Sequence, residues 1–242
     1  MTKTVSVGLL LCLGTICASA QFGGLLKKNF GTKGSSDVTA VMSQGQGLIS
    51  YVTMATDNGV IAVEGLMSVF PPEKVQKVAD LAAKYNELKK AKRSDQNIDA
   101  ESVMLASQIA AEMAQLDSEW QTHVKEQSAT IRKTDARLAL VILADGMAAT
   151  KAPETAQAMQ SAAQDLKSDP TQVPKMKRML DMAALLATVG KEIPKQVNSF
   201  RTVRGMTKRI AEAEKIQLAA DPSPDKVKDK TSYESTDKAI AE

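Results

Sequence analysis

The chain has 242 residues, with 31 basic and 28 acidic side chains, one histidine, two cysteines and 3% aromatic residues. This near-balance of charge removes the electrostatic case for nucleic acid, which needs a concentrated basic face. Few aromatics beside plentiful Ala, Met, Gln, Lys and Glu favour helices over strands, and the length suffices to bury a core without disulfides.

Residues 1–20 read as a secretory signal peptide. Lys3 and the amino terminus form a positive start, an apolar run extends from Val5 to Cys17, and Ala18-Ser19-Ala20 is a small-x-small cleavage site. The run falls short of the ~20 residues of a membrane span. Lipidation at Cys17 is the weaker alternative, because Ile16 is a poor residue just before a lipobox cysteine. Cleavage after Ala20 removes Lys3 and no acid, which leaves 30 basic and 28 acidic residues. It also removes Cys12 and Cys17. The mature chain then has no thiol for a disulfide, a cysteine-ligated zinc or a nucleophile. The expected location is the periplasm or the exterior.

Residues 21–36, with four glycines and Lys27, Lys28 and Lys33, read as a flexible arm. Asp37 is a candidate cap for the first long helix. Val38, Val41, Gly45, Leu48, Val52, Ala55, Gly59, Ala62, Leu66 and Val69 follow at spacings of three and four, the seam of an amphipathic helix. The glycines in this seam predict close approach of a neighbouring helix, with Asp57-Asn58-Gly59 the candidate kink.

Pro71-Pro72 ends that helix and opens the next. The second has Val75, Val78, Ala82, Tyr85 and Leu88 inside and ends near Lys92. Its outer face of lysines is a solvated face. After a turn at Ser94-Asp95-Gln96-Asn97, Asp99 caps a third helix. No Gly or Pro occurs from 73 to 145, and Val103, Ala106, Ala110, Met113, Trp120, Val124, Ile131, Leu138 and Val141 keep the helical spacing. This predicts one helix over 100–149, on the order of 75 Å long. A break near 128–133 is the alternative. Trp120 is expected on its buried face, against Gly45, Ala55 or Gly59 of the first helix.

Pro153 is expected to open a shorter helix through Met159, Ala162, Ala163 and Leu166. Asp169-Pro170 and Pro174 mark a turn. Met176, Met179, Leu180, Ala183, Leu186 and Val189 line the next inner face, and Gly190 and Pro194 are expected to punctuate again. Val197, Phe200, Val203, Ile210, Ala213 and Ile216 line the last helix. From Asp221 the chain alternates Asp and Lys with Pro, Ser and Thr, too little apolar surface to order itself. The fold expected is all-α: an elongated bundle of five to six long amphipathic helices over 37–220, with a flexible N-terminal arm and a disordered C-terminal tail over 221–242.

Catalytic, cofactor-binding and metal residues are each read as none. His123 is the only histidine. On a continuous helix it shares a face with Glu119 and Glu126, but a di-iron bundle needs Glu-x-x-His on two helices. A Ser-His-Asp triad would also depend on His123, and no Gly-x-Ser-x-Gly elbow is present. Gly45-Gln46-Gly47 lacks the Gly-Lys-Ser/Thr of a phosphate loop.

The seam is interrupted by Asp117, Gln127, Thr134 and Asp145. They serve either to fix register or to line a cavity. A buried Asp145 requires a partner, with Arg178, Arg201 and Arg204 as candidates. Apolar stretches at 48–70, 138–149 and 179–189 are explained by core packing. The reading reached is an exported, non-enzymatic binding or scaffolding bundle with an unknown protein partner. Its rivals are a membrane-active protein resembling pore formers in layout, and a carrier of an apolar small molecule between Met-rich faces.

Overall fold

The computed structural model of the chain describes residues 38–91, 99–120, 124–223 and Tyr233. The proposed signal peptide, the arm, Asp37, the turn at 94–97 and His123 lie outside the described residues. Among the described residues there are five α-helices and no strand. They are α1 (Val38–Leu66), α2 (Pro72–Ala91), α3 (Ala100–Ala114), α4 (Ser128–Asp165) and α5 (Val173–Ala213). The protein is an all-α bundle.

Local chemistry sets several boundaries as the sequence predicts. Pro72 starts α2, with Glu73 in the first turn and Lys89 and Lys90 in the last, each suited to its end of the helix dipole. Asp99 caps α3 by accepting bonds from the Ser102 amide and hydroxyl, both at 2.9 Å. Between α4 and α5, Asp169 accepts from the Thr171 amide at 2.9 Å and Pro170 opens a short 3-10 turn.

Paired side chains show how the helices run. Glu64 with Asn86, and Asp57 with Tyr85 and Lys89, make α2 antiparallel to α1. Lys77–Glu112 at 2.7 Å and Lys74–Glu119 at 3.0 Å reverse the chain again into α3. Thr134 meets Ala62 near one end of α1 and Met159 meets Gly45 near the other, so α4 is antiparallel to α1. Asp135 with Arg204, and Ala152 against Gly190, make α5 antiparallel to α4. The result is an up-and-down order. α1, α4 and α5 interlock along their length, and α3 lies on α5 with α2 outside it.

The predicted inner faces hold. Apart from half-buried Val38, every α1 seam residue is buried, as are Val75, Val78, Ala82 and Tyr85 of α2 and Val103, Ala106, Ala110 and Met113 of α3. Leu180 and Ala213 depart from expectation and are exposed. The predicted close approach at the α1 glycines is also present. A Cβ on Gly59 would lie inside the Phe200 ring, and one on Gly45 would lie inside the Met159 side chain.

The continuous third helix is not observed. α3 stops at Ala114, and the chain reverses over 115–127 before α4 begins at Ser128. The break precedes the alternative at 128–133. Tight i to i−3 bonds close the end of α3: Gln115 N to Glu112 O at 3.2 Å, Leu116 N to Met113 O at 3.0 Å and Glu119 N to Leu116 O at 2.8 Å. Met113 and Val124 are both buried, on opposite sides of the reversal. A three-four pattern records that a face is buried, but not that the chain has turned round between two buried residues. Trp120 therefore sits in the reversal, half-buried and in no helix. Phe200, Met159 and Met182 fill the positions expected for it.

Pro153 and Pro194 likewise fail to punctuate, since each lies inside a helix that continues through it. Proline removes one backbone donor and crowds the carbonyl four residues back. Both rings are on the exposed side, and the opposite faces are packed. A Cβ on Gly190 would lie 3.2 Å from the Ala152 Cβ, so α4 and α5 approach closely beside both prolines. Burial of those faces outweighs the lost bonds.

Glycines of α1 in different surroundings should respond oppositely to alanine. Gly59→Ala must displace the Phe200 ring and should destabilise by about 1–3 kcal/mol. Gly47 is exposed with nothing within 4 Å of its would-be Cβ. Gly47→Ala should stabilise by up to about 1 kcal/mol through helix propensity. Urea denaturation of both variants checks the two signs.

Candidate functional site

The four polar interruptions of the seam do not form one lining. Asp117 is at the surface, paired with Arg209 of α5 at 2.6 Å. Gln127 is half-buried and accepts from the Ser68 hydroxyl at 3.4 Å. Thr134 is buried and donates to the Ala62 carbonyl at 3.4 Å. Asp145 lies in the middle of the bundle, 0% exposed.

None of the three candidate arginines pairs with Asp145. Arg178 and Arg201 are exposed. Arg204 is spent on Asp135, with Nε to Oδ1 at 3.0 Å, and on Asp221. The partner is Gln196 of α5, whose Nε2 donates to Asp145 Oδ2 at 2.7 Å and to Thr56 Oγ1 of α1 at 3.1 Å. One amide thus links three helices. Sequence reasoning missed Gln196, Thr56 and the buried Asp135. Gln196 carried a signal, since it stands three residues after Ile193 and four before Phe200, at the spacing of the inner face.

Burial pushes the Asp145 carboxyl up to about 8, with the Gln196 bond pulling weakly the other way. At neutral pH the group is largely an uncharged acid, which explains how it tolerates the core without a cation. Since Oδ2 accepts from Gln196, the proton belongs on Oδ1, which has no hydrogen-bond partner.

The chain has three tyrosines, Tyr51, Tyr85 and Tyr233, and all are buried. Burial raises each phenol above its usual range, and the Asp145 charge raises each further, behind that of Asp57 for Tyr85. The Asp145 carboxyl thus acts on all three phenols.

Other sequence candidates are not assembled. Glu119 follows α3 and pairs with Lys74, while Glu126 is in a 3-10 turn. They do not share a helix face. Gly45-Gln46-Gly47 is helical within α1. Among the described residues, no group of three His, Cys, Asp or Glu could hold a metal, and no helix is long and apolar enough to cross a membrane. At the surface, a groove of about 220 Å3 between α1 and α4 is lined by Ile61, Ala62, Gly65, Thr130, Lys133 and Arg137. Comparison with known proteins found no family, no curated relative and no solved structure that matches this chain.

The chemical consequence of the network is proton-dependent stability. The folded state holds the Asp145 proton up to about pH 8, whereas an ordinary aspartate releases it near 3.8. The folded protein therefore binds more protons than the unfolded chain across that window. The contribution of Asp145 is complete below the ordinary value and is lost as pH rises to the raised one, at up to about 1.4 kcal/mol per pH unit. Asp145→Asn keeps a carbonyl acceptor for Gln196 and removes the titration. Urea unfolding of both proteins between about pH 5 and pH 8 should show the wild type losing stability relative to the asparagine variant.

Proposed function

We propose that the bundle is a non-enzymatic binding or scaffolding module of an exported protein. The observation that carries this reading is the sealing of Asp145. A general acid or base with a displaced pKa works from a cleft that its substrate can enter. Asp145 has the displaced pKa but is 0% exposed. Other carboxylates tie helices together, as in Asp57–Lys89, Glu112–Lys77 and Asp117–Arg209. The chain's own Met159, Met182 and Phe200 fill the positions opposite Gly45 and Gly59, where a carried apolar ligand would have to compete with them.

The α1–α4 groove supports a binding role. Ile61 is 48% exposed at its edge, with Lys133 and Arg137 among its lining residues. An exposed apolar side chain beside basic ones suits a protein segment that presents apolar and acidic side chains. A photo-crosslinking residue in place of Ile61, in the full chain in its native envelope, should yield a protein adduct. The same residue in place of exposed Met104 on α3 should not. Lys133→Glu with Arg137→Glu should abolish the Ile61 adduct. Equal labelling at both positions, or none at Ile61, rejects the groove.

Export is supported by the order of charge, apolar run and Ala18-Ser19-Ala20. Intact mass of the protein from the exported fraction should correspond to a start at Gln21. A mass retaining residues 1–20, or one with lipid on Cys17, rejects this.

A further inference from the structure

The α1–α4 groove has a closed floor between two walls. Ile61 and Gly65 stand one turn apart on α1, and Lys133 and Arg137 one turn apart on α4. Between these pairs Ala62 and Thr134 are buried, and the Thr134 hydroxyl donates to the Ala62 carbonyl at 3.4 Å. The room above that floor comes from Gly65. It is exposed, and the atom nearest to a Cβ built there is Thr134 Oγ1 at 3.7 Å. Gly45 and Gly59 of the same helix have their space filled from within, by Met159 and Phe200. Gly65 leaves its space to the groove, although glycine costs about 1 kcal/mol against alanine inside a helix.

Size, backbone and charge each narrow what fits. At about 220 Å3 the groove is smaller than the ~300–1,000 Å3 of small-molecule sites. It suits one large side chain, the kind of anchor that dominates protein interfaces. Both walls are helices, whose backbone groups pair within the helix. Even near the end of α1 the Gly65 carbonyl accepts from the Ser68 hydroxyl at 3.0 Å. An extended segment would find no backbone partner here, whereas a helix brings its own bonds already made. Lys133 and Arg137 present two cations at the spacing of one turn, which matches carboxylates one turn apart on a facing helix. A guanidinium has five donors, so Arg137 can hold such a carboxylate beside the interaction it already makes within the chain.

We propose that the groove is an anchor pocket for one large apolar side chain of a partner helix, with two carboxylates one turn apart on that helix pairing with Lys133 and Arg137. This rests on the binding reading above and names the element that is recognised. Gly65 is then the residue that sets specificity, because any larger side chain there takes the place of the anchor. The anchor supplies most of the affinity. The two ion pairs orient the partner helix and make its binding sensitive to salt.

The test starts from the photo-crosslinking residue in place of Ile61, in the full chain in its native envelope. The adduct is digested and the attached peptide sequenced by mass spectrometry. It should carry a large apolar residue at the point of attachment and two acidic residues one turn apart beside it. Gly65→Leu in the same chain should remove the adduct and leave helical circular dichroism and the urea midpoint no lower than before. The sequenced segment is then made as a synthetic peptide and titrated into the purified full chain by calorimetry. Alanine in place of its apolar anchor should weaken binding about 30-fold or more. Glutamine in place of its two acids should weaken binding and flatten the dependence on salt. No adduct at Ile61 overturns the binding reading and the anchor together. The anchor falls and the binding reading stands if the adduct persists in Gly65→Leu, if the attached peptide has no acids, or if the anchor-to-alanine peptide binds equally well. A lipid, a small molecule or a second copy of this chain at the crosslink overturns the anchor as well. Should Gly65→Leu fail to fold, the anchor-to-alanine peptide decides, since it leaves this chain unaltered.

Discussion

Gln196 donates to Asp145 at 2.7 Å and to Thr56 at 3.1 Å, and so ties α5 to α4 and α1 at one level. The inner faces of these helices are largely Ala, Val, Leu and Met, and such surfaces pack almost as well after sliding by a turn. A slipped register would leave Gln196, Thr56 and Asp145 opposite aliphatic side chains. Buried polar groups without partners are costly, so one amide makes a single register preferable. This is the established use of a lone polar group in an apolar seam.

Shape reinforces the same register. Phe200 occupies the space a side chain at Gly59 would take, and Met159 does so at Gly45. The two positions lie on either side of Thr56 along α1, so steric and polar constraints agree. The match also explains how Pro153 and Pro194 persist inside long helices, since the face that determines each helix is the packed one.

The same core holds a carboxyl whose pKa is strongly raised. A carboxyl that only pins register could be replaced by an amide with little consequence at any pH. As an acid, Asp145 makes the interior sensitive to protons.

The sequence by itself determined the helical class and the direction of most inner faces, because a three-four spacing of apolar side chains follows from 3.6 residues per turn alone. It also offered Asp99 as a cap and Pro72 as a start, and marked Asp145 as an acid that would need a partner if buried. Tertiary structure decided where the chain turns and which side chains meet. The reversal at 115–127 contains no Gly or Pro, and Met113 and Val124 on its two sides are buried, so the spacing of apolar residues continues across it with only polar Asp117 and Gln127 as a mark. Pro153 and Pro194 look like stops, but the faces behind them gain more from packing than the backbone loses. Asp145 could have met an arginine. It met Gln196 because helix register, which no single helix encodes, put Arg204 opposite Asp135 instead.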